Sequence, residues 1–199
     1  MNGNQKQGQL FQNQGSAFDV VQNTQEICLT KTLLINWQES IQNHQAKYFE
    51  GRSDIPTQGS FFETEGNNLI ENFQPLSLMP LPLSFWRWPR SPHDGPAIYL
   101  VMDRLEDSKK HILLYIGETV AADRRWKGDH DCKAYLSAYS EALVNASIKC
   151  QLSIRFWSDV PEQTHPRRKL EQQLIQKWLP PFNKETRTIW KTPFTAEIH

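Results

Sequence analysis

The chain has 199 residues, 38% of them apolar and 11% aromatic, and it carries 22 basic and 22 acidic residues. This length suits one domain with a substantial extension, and the apolar content is enough for a hydrophobic core. No apolar run is long enough to cross a bilayer, and the start MNGNQKQGQLFQNQ has neither a signal-peptide nor a transit-peptide pattern, so we expect a cytoplasmic protein with no membrane partner.

The charge is unevenly distributed along the chain. Residues 1–99 carry six Lys/Arg and nine Asp/Glu, a balance of −3, whereas residues 100–199 carry sixteen and thirteen, a balance of +3. Mixed charge is typical of most soluble domains, so this asymmetry does not establish a nucleic-acid partner. It directs attention to the second half of the chain.

The three cysteines, Cys28, Cys132 and Cys150, are odd in number and widely separated. This pattern argues against a disulfide framework. Reduced thiols in or near the core are favoured over a zinc site at His130–Cys132, since that site has no paired CxxC or HxxxH partner.

The first 95 residues are interpreted as an extension of the domain that follows. The Gln/Asn-rich range 1–28 is predicted to be flexible, and apolar residues at intervals of three, four and seven predict a helix from about Leu29 to Tyr48. The rest of the range 29–95 is Pro-rich and is predicted to run extended over the domain. Within it, FWRW at 85–88 could stack on unpaired bases, although packing is the more ordinary role of such rings.

From Pro96 onward the pattern is typical of a small domain that fills residues 96–199. AIYLVMD and HILLYIG predict two antiparallel strands joined by a charged hairpin. The order of elements continues with two helices, one after Gly117 and one over 131–147. A strand at IKCQLSIRFW and a helix from Pro161 to Leu179 follow, which gives the order β-β-α-α-β-α. The expected fold class is therefore α+β, a three-stranded antiparallel sheet flanked by helices, with an N-terminal helical and Pro-rich extension.

Five separated residues in this domain form a recognisable set. The first strand carries AIY, ending at Tyr99; the second carries YIG, beginning at Tyr115; Arg125 follows in a helix, Glu171 lies in the last helix, and Asn183 lies in LPPFNKE. The combination resembles the GIY-YIG nuclease family over a little under half the chain, and the PPFN ending is most like its excision-repair members. Alanine stands where the first tripeptide of the family usually has glycine.

The resemblance implies an endonuclease that hydrolyses phosphodiester bonds in DNA, with RNA not excluded, using Mg²⁺ or Mn²⁺. It implies that Glu171 is the single protein ligand of the metal and that Arg125 clamps the scissile phosphate. Tyr99 would act as general base or orient the attacking water, and Tyr115 would position water or phosphate. Asn183 would fix the local geometry by hydrogen bonds.

The resemblance leaves the roles of other nearby polar residues open. His130 lies one residue beyond the position where family members often carry a further Tyr or His. Two roles are open for it: an auxiliary base or phosphate contact, or a solvated side chain with no part in catalysis. Arg124 competes with Arg125, since adjacent helical residues point about 100° apart. The residues expected to contact the nucleic acid are Arg124, Lys127, Arg167 and Arg168, although a solvated ion pair with Glu171 is the ordinary interpretation of the last two.

Several functions remain open within this interpretation. The enzyme could cut branched DNA, as in repair or recombination, or cut at a sequence, as a restriction enzyme does. The alternative is a catalytically weak nucleic-acid-binding or interaction module on the same fold. The N-terminal extension could also provide a homodimer surface or dock a protein partner.

Overall fold

The structure is a computed structural model that describes residues 17–51, 69–71, 73–105, 109–127 and 131–192, with the backbone alone for residues 17–30 and 131. It contains the helices α1 (Ala17–Phe49), α2 (Ala122–Arg125), α3 (Asp131–Asn145) and α4 (Thr164–Trp178), and the strands β1 (Ala97–Arg104), β2 (His111–Thr119) and β3 (Leu152–Trp157). Two 3₁₀ turns, Pro75–Ser77 and Phe85–Arg87, precede β1. Within the described ranges, no helix has both the length and the apolarity needed to cross a membrane.

The three strands form one antiparallel sheet in the order β2-β1-β3. β1 lies in the centre, and all of its residues except Arg104 are buried. Its continuous apolar run AIYLVM reflects this position, since a strand covered on both faces has no solvent side on which to place polar residues. The predicted α+β fold with a three-stranded antiparallel sheet is confirmed, as is the predicted order of strands and helices.

Each face of the sheet packs against helices. Tyr99 of β1 belongs to the cluster that includes Tyr139 of α3, and its neighbour Ile98 belongs to the cluster that includes Trp178 of α4. Adjacent residues of a strand point to opposite faces, so the two clusters lie on opposite sides of the sheet. The tyrosines of the AIY and YIG tripeptides therefore belong to the α3 side.

Helix α1 connects the two clusters. Its Trp37 ring lies 5.7 Å from the ring of Tyr139, and its Tyr48 ring lies 5.3 Å from the ring of Trp178. Trp37 is only 6% exposed, as its place in the predicted apolar stripe requires. The part of the helix whose side chains are described, residues 31–49, thus contributes to the hydrophobic core.

The start of α1 differs from the prediction. The helix begins at Ala17, well before the predicted Leu29, so it takes up residues 17–28 of the range predicted to be flexible. These residues contain no glycine or proline, and Gly15 is the first helix-disfavouring residue upstream. Residues 1–16 lie outside the described part of the chain.

The Pro-rich segment covers the outer edge of β3. Leu81 and Ile154 exchange two backbone hydrogen bonds of 2.8 and 2.9 Å. The buried guanidinium of Arg155 donates to the carbonyl oxygens of Pro75, Leu76 and Leu78. The segment therefore satisfies groups that an uncovered edge strand would leave open.

Candidate active site

The tyrosines of the two tripeptides meet across the pairing of β1 and β2. Tyr99 pairs with Gly117, and Val101 pairs with Tyr115, so the two tyrosines are diagonal neighbours on one face. Their ring centroids lie 5.8 Å apart at an interplanar angle of 31°. A bulge follows this region, between Val101 and Met102, and it shifts the register of the remaining pairs.

Gly117 makes this approach sterically feasible. A Cβ at position 117 would come 2.8 Å from Cε1 of Tyr115 and closer still to the ring of Tyr99. These distances are shorter than real Cβ contacts, and both rings are held by packing. The glycine of YIG is therefore required so that the Tyr99 ring can lie over the backbone of β2.

Arg125 lies against the same tyrosine. The amide of Ala122 donates to the carbonyl of Gly95 over 2.9 Å, which fixes the start of α2 beside the entry to β1. The guanidinium carbon of Arg125 lies 6.0 Å from the centre of the Tyr99 ring. Its Nε is buried and has no hydrogen-bond partner within the described part of the chain. A buried, unused donor next to two tyrosines is suited to an anionic ligand.

The neighbouring cations of α2 are arranged differently. The Arg124 side chain is 78% exposed and lies 3.9 Å from the carboxylate of Asp123. Lys127 is also exposed. Arg125 is therefore the arginine that packs on Tyr99, whereas Arg124 and Lys127 are free to meet a ligand at the surface. His130 lies outside the described residues.

The environment of the two tyrosines opposes their ionisation. Burial raises the pKa of Tyr99, and the charge of Arg125 acts in the opposite direction. Burial also raises the pKa of Tyr115, with a further contribution from Tyr99. Tyr99 has no exposed surface, so in this conformation its side chain is out of contact with bulk water.

Polar groups from two other segments complete the outer edge of β2. The amide of Leu113 donates to Oε1 of Gln45 over 2.7 Å, and Nε2 of Gln45 donates back to the Leu113 carbonyl over 3.0 Å. The amide of Phe182 donates to the carbonyl of Leu114 over 3.0 Å. The edge is thus closed by α1 on one side and by the segment after α4 on the other.

Asn183 and Glu171 continue this edge toward the tyrosine pair. Ile116 donates its amide to Oδ1 of Asn183 over 3.0 Å, and Nδ2 of Asn183 donates to the Ile116 carbonyl over 2.8 Å. The amide of Glu118 donates to Oε1 of Glu171 over 2.8 Å. These bonds flank Gly117 and tie both predicted site residues to the strand that carries Tyr115.

Glu171 is a carboxyl group with an elevated pKa. Its pKa rises to about 7, chiefly because burial disfavours the charged form. The hydrogen bond from Glu118 and the charge of Arg168 oppose the rise, and the carboxylates of Glu118 and Glu185 add to it. A group balanced near neutrality can lose its proton when a cation arrives.

The two arginines before Glu171 have separate roles. Arg167 has no exposed surface; its Nε donates to Glu118 over 3.0 Å, and its Nη1 donates to the carbonyls of Pro161 and Glu162 over 3.0 and 2.7 Å. The prediction that Arg167 contacts nucleic acid is therefore wrong, because its donors are used inside the protein. Arg168 also donates to Glu118, over 3.0 Å, but its side chain is 65% exposed.

A cleft of about 180 Å³ opens beside β2. Tyr115, Glu171 and Asn183 line it together with Tyr135 and Arg187. Nη1 of Arg187 donates to the Tyr135 hydroxyl over 2.8 Å. Tyr115 therefore lies between two groups, the Tyr99–Arg125 pair on one side and this cleft on the other.

Sequence reasoning missed several residues of the site. Strand alternation was a usable signal for Glu118, because it places this residue on the face opposite Tyr115, toward α4. No local pattern pointed to Gln45, Tyr135 or Arg187, whose contacts depend on how distant segments pack.

The donor set fits a divalent cation held by one carboxylate. Within the described ranges, no three His, Cys, Asp or Glu side chains come together as a metal site. Magnesium is commonly bound by one or two carboxylates while it keeps several waters. Burial is the main cause of the raised pKa of Glu171, with smaller contributions from the carboxylates of Glu118 and Glu185, and a bound cation would stabilise the charged form. Glu171 is therefore a suitable single ligand for Mg²⁺ or Mn²⁺.

Comparisons with known proteins identified no relative of this chain. No family model matches the chain, and no curated protein or solved structure is significantly similar to it.

Proposed function

We propose that this protein is a divalent-metal-dependent endonuclease of the GIY-YIG type that hydrolyses phosphodiester bonds in DNA. The supporting observation is the position of Tyr115. On one side it meets Tyr99, over which Arg125 lies, and on the other it lines a cleft with Glu171 and Asn183. Phosphodiester hydrolysis needs an oriented water, a cation for the developing charge and a stabilised leaving oxygen.

Arg125 would bind the scissile phosphate. Its planar guanidinium matches two phosphate oxygens better than an ammonium group does. Its buried Nε lacks a partner among the described residues, and a phosphate oxygen would supply one. The Tyr99 ring fixes the direction of this guanidinium.

Tyr115 would contact the attacking water, since it is the tyrosine that lines the cleft. Tyr99 would act as a positioning residue, because it is fully buried beneath Tyr115 and Arg125. Asn183 would hold the backbone of Ile116 and thereby keep Tyr115 in place.

Glu171 would hold the divalent cation. The bound ion would supply positive charge for the phosphate and for the leaving oxygen. Glu171 becomes a better ligand as it loses its proton, so cleavage should increase as the pH rises through about 7.

The exposed cations around this region suit a polyanionic substrate. Arg124 is exposed on α2, and Lys127 is exposed directly after that helix. Arg168 is exposed on α4. Contacts of this kind position a nucleic-acid backbone without reading its sequence. Structure-specific and restriction-like cleavage both remain compatible with such contacts.

A cleavage panel tests the proposal. The substrates are single-stranded, duplex, flap and four-way-junction DNA, with RNA as a further arm, in Mg²⁺, in Mn²⁺ and with a chelator. We expect cleavage of at least one DNA, its loss on chelation, and its loss in Glu171→Gln and Arg125→Lys. Arg104→Gln is the matched control, since Arg104 is an exposed arginine at the far end of β1 from the tyrosines. Binding that survives chelation without any cleavage by the wild type would instead favour a nucleic-acid-binding module.

A further inference from the structure

A short surface before β1 combines exposed indole rings with arginines. It consists of Trp86, Arg87, Trp88 and Arg90, and we name it the tryptophan surface. Trp86 is 36% exposed and Trp88 is 45% exposed, and both arginines are exposed as well. The guanidinium of Arg87 lies 5.0 Å from the centre of the Trp86 ring.

These two indoles are not the rings that attach the segment to the domain. Phe85 does so: it is fully buried, and its ring lies 5.2 Å from that of Phe156 on β3. His93 packs on the same Phe156 ring, also at 5.2 Å. The segment is thus anchored on either side of the tryptophans, which leaves their exposure without a structural explanation.

The anchors also place the tryptophan surface relative to the candidate active site. Phe156 lies 6.1 Å from the Tyr99 ring, centre to centre, so the segment packs on the sheet face that carries the tyrosine pair. At its far end, Gly95 accepts the hydrogen bond that fixes the start of α2. The segment that carries the tryptophan surface is thus joined to the sheet face of Tyr99 before the tryptophans and to the start of the Arg125 helix after them.

We propose that the tryptophan surface binds unpaired bases of the polynucleotide that is cleaved at the candidate site. The proposal rests on the proposed function. Indole rings stack on the faces of bases, and an arginine next to each ring matches the negative charge of the adjoining phosphate. Protein interfaces are also enriched in tryptophan and arginine, but charged residues as a class are depleted from their cores. Here each ring is followed within two residues by a cation.

The test is a binding measurement that does not depend on cleavage. Fluorescence anisotropy with a labelled oligothymidylate, an oligouridylate and a DNA duplex is recorded in the presence of a chelator. For the Trp86→Ala/Trp88→Ala variant we expect affinity for the unpaired oligonucleotides to fall by about ten-fold per tryptophan, with a much smaller change for the duplex. The DNA and RNA arms distinguish the two sources of unpaired bases. Val144→Ala, an exposed apolar position on α3, is the control and should bind like the wild type.

The outcomes separate the two proposals. Unchanged affinity in the double variant, or an equal loss for unpaired and duplex DNA, would overturn the stacking proposal. A wild type that binds none of the polynucleotides would also overturn it, in favour of a protein partner. If the tryptophans determine binding but no substrate is cut, the stacking proposal stands and the nuclease fails. If cleavage occurs with tryptophan-independent binding and an unchanged KM, the nuclease stands and the stacking proposal fails.

Discussion

Replacing Glu171 by glutamine should change the pH dependence of folding stability as well as cleavage. Glutamine keeps an oxygen that can accept the hydrogen bond from Glu118, but it removes the titrating group. The pKa of Glu171 rises from an ordinary 4.5 to about 7 on folding. The folded state therefore binds the proton more tightly than the unfolded state, and stability is lost as the pH rises from about 4.5 through about 7.

The size of this effect follows from the shift in pKa. At about 1.36 kcal/mol per pH unit, the full shift would correspond to about 3 kcal/mol. The carboxyl is partly exposed, and screening by solvent reduces this to about 1–2 kcal/mol. Glu171→Gln should therefore match the wild type near pH about 4.5 and exceed its stability by about 1–2 kcal/mol above pH about 8.

Urea denaturation across this pH range measures the difference, with Glu141→Gln as the control for losing an exposed carboxyl on α3. Addition of Mg²⁺ at high pH, at ten times its dissociation constant, should then stabilise the wild type by about 1.4 kcal/mol. The stability of Glu171→Gln should not change. A difference between wild type and variant that does not vary with pH would refute the assignment of a buried, titrating Glu171. A Mg²⁺ effect of equal size in both proteins would refute its role as the ligand.

Three further substitutions test the geometry. Gly117→Ala places a methyl group against the buried Tyr99 ring and should cost about 1–3 kcal/mol in urea denaturation; an unchanged stability would mean that the two rings can separate freely. Asn183→Leu leaves the amide and carbonyl of Ile116 without their side-chain partner and should lower the free energy of unfolding by about 2–4 kcal/mol. An unchanged free energy of unfolding would contradict the role of Asn183 as a support for β2. Arg125→Lys should lower the single-turnover cleavage rate by at least about 100-fold while the far-ultraviolet circular dichroism stays unchanged; a rate within a few-fold of the wild type would exclude Arg125 from phosphate binding.

The parts of the fold that could be predicted are those fixed by local patterns. Runs of β-branched and apolar residues identified β1 and β2, and their short charged connection required antiparallel pairing. The register of that pairing, which local patterns do not set, places Tyr99 and Tyr115 on one face. The helical stripe around Trp37 was also local, and that ring is in the core.

What could not be predicted depends on contacts between distant segments. Arg167 and Arg168 are adjacent in sequence, and only the packing of α4 on the sheet decides that the first is buried and the second exposed. The closure of the β2 edge joins Gln45 to Leu113, which lie 68 positions apart. No periodicity reveals such a pair, because a glutamine in the middle of a helix is most often simply solvated.

Single-turnover cleavage of a preferred DNA substrate, compared between the wild type and Glu171→Gln at saturating Mg²⁺, tests the central claim most directly. The account predicts cleavage by the wild type that is lost on chelation, and a Glu171→Gln protein that still binds the DNA but does not cut it. Equal cleavage rates in the two proteins would contradict the assignment of this cleft as a metal-dependent nuclease site.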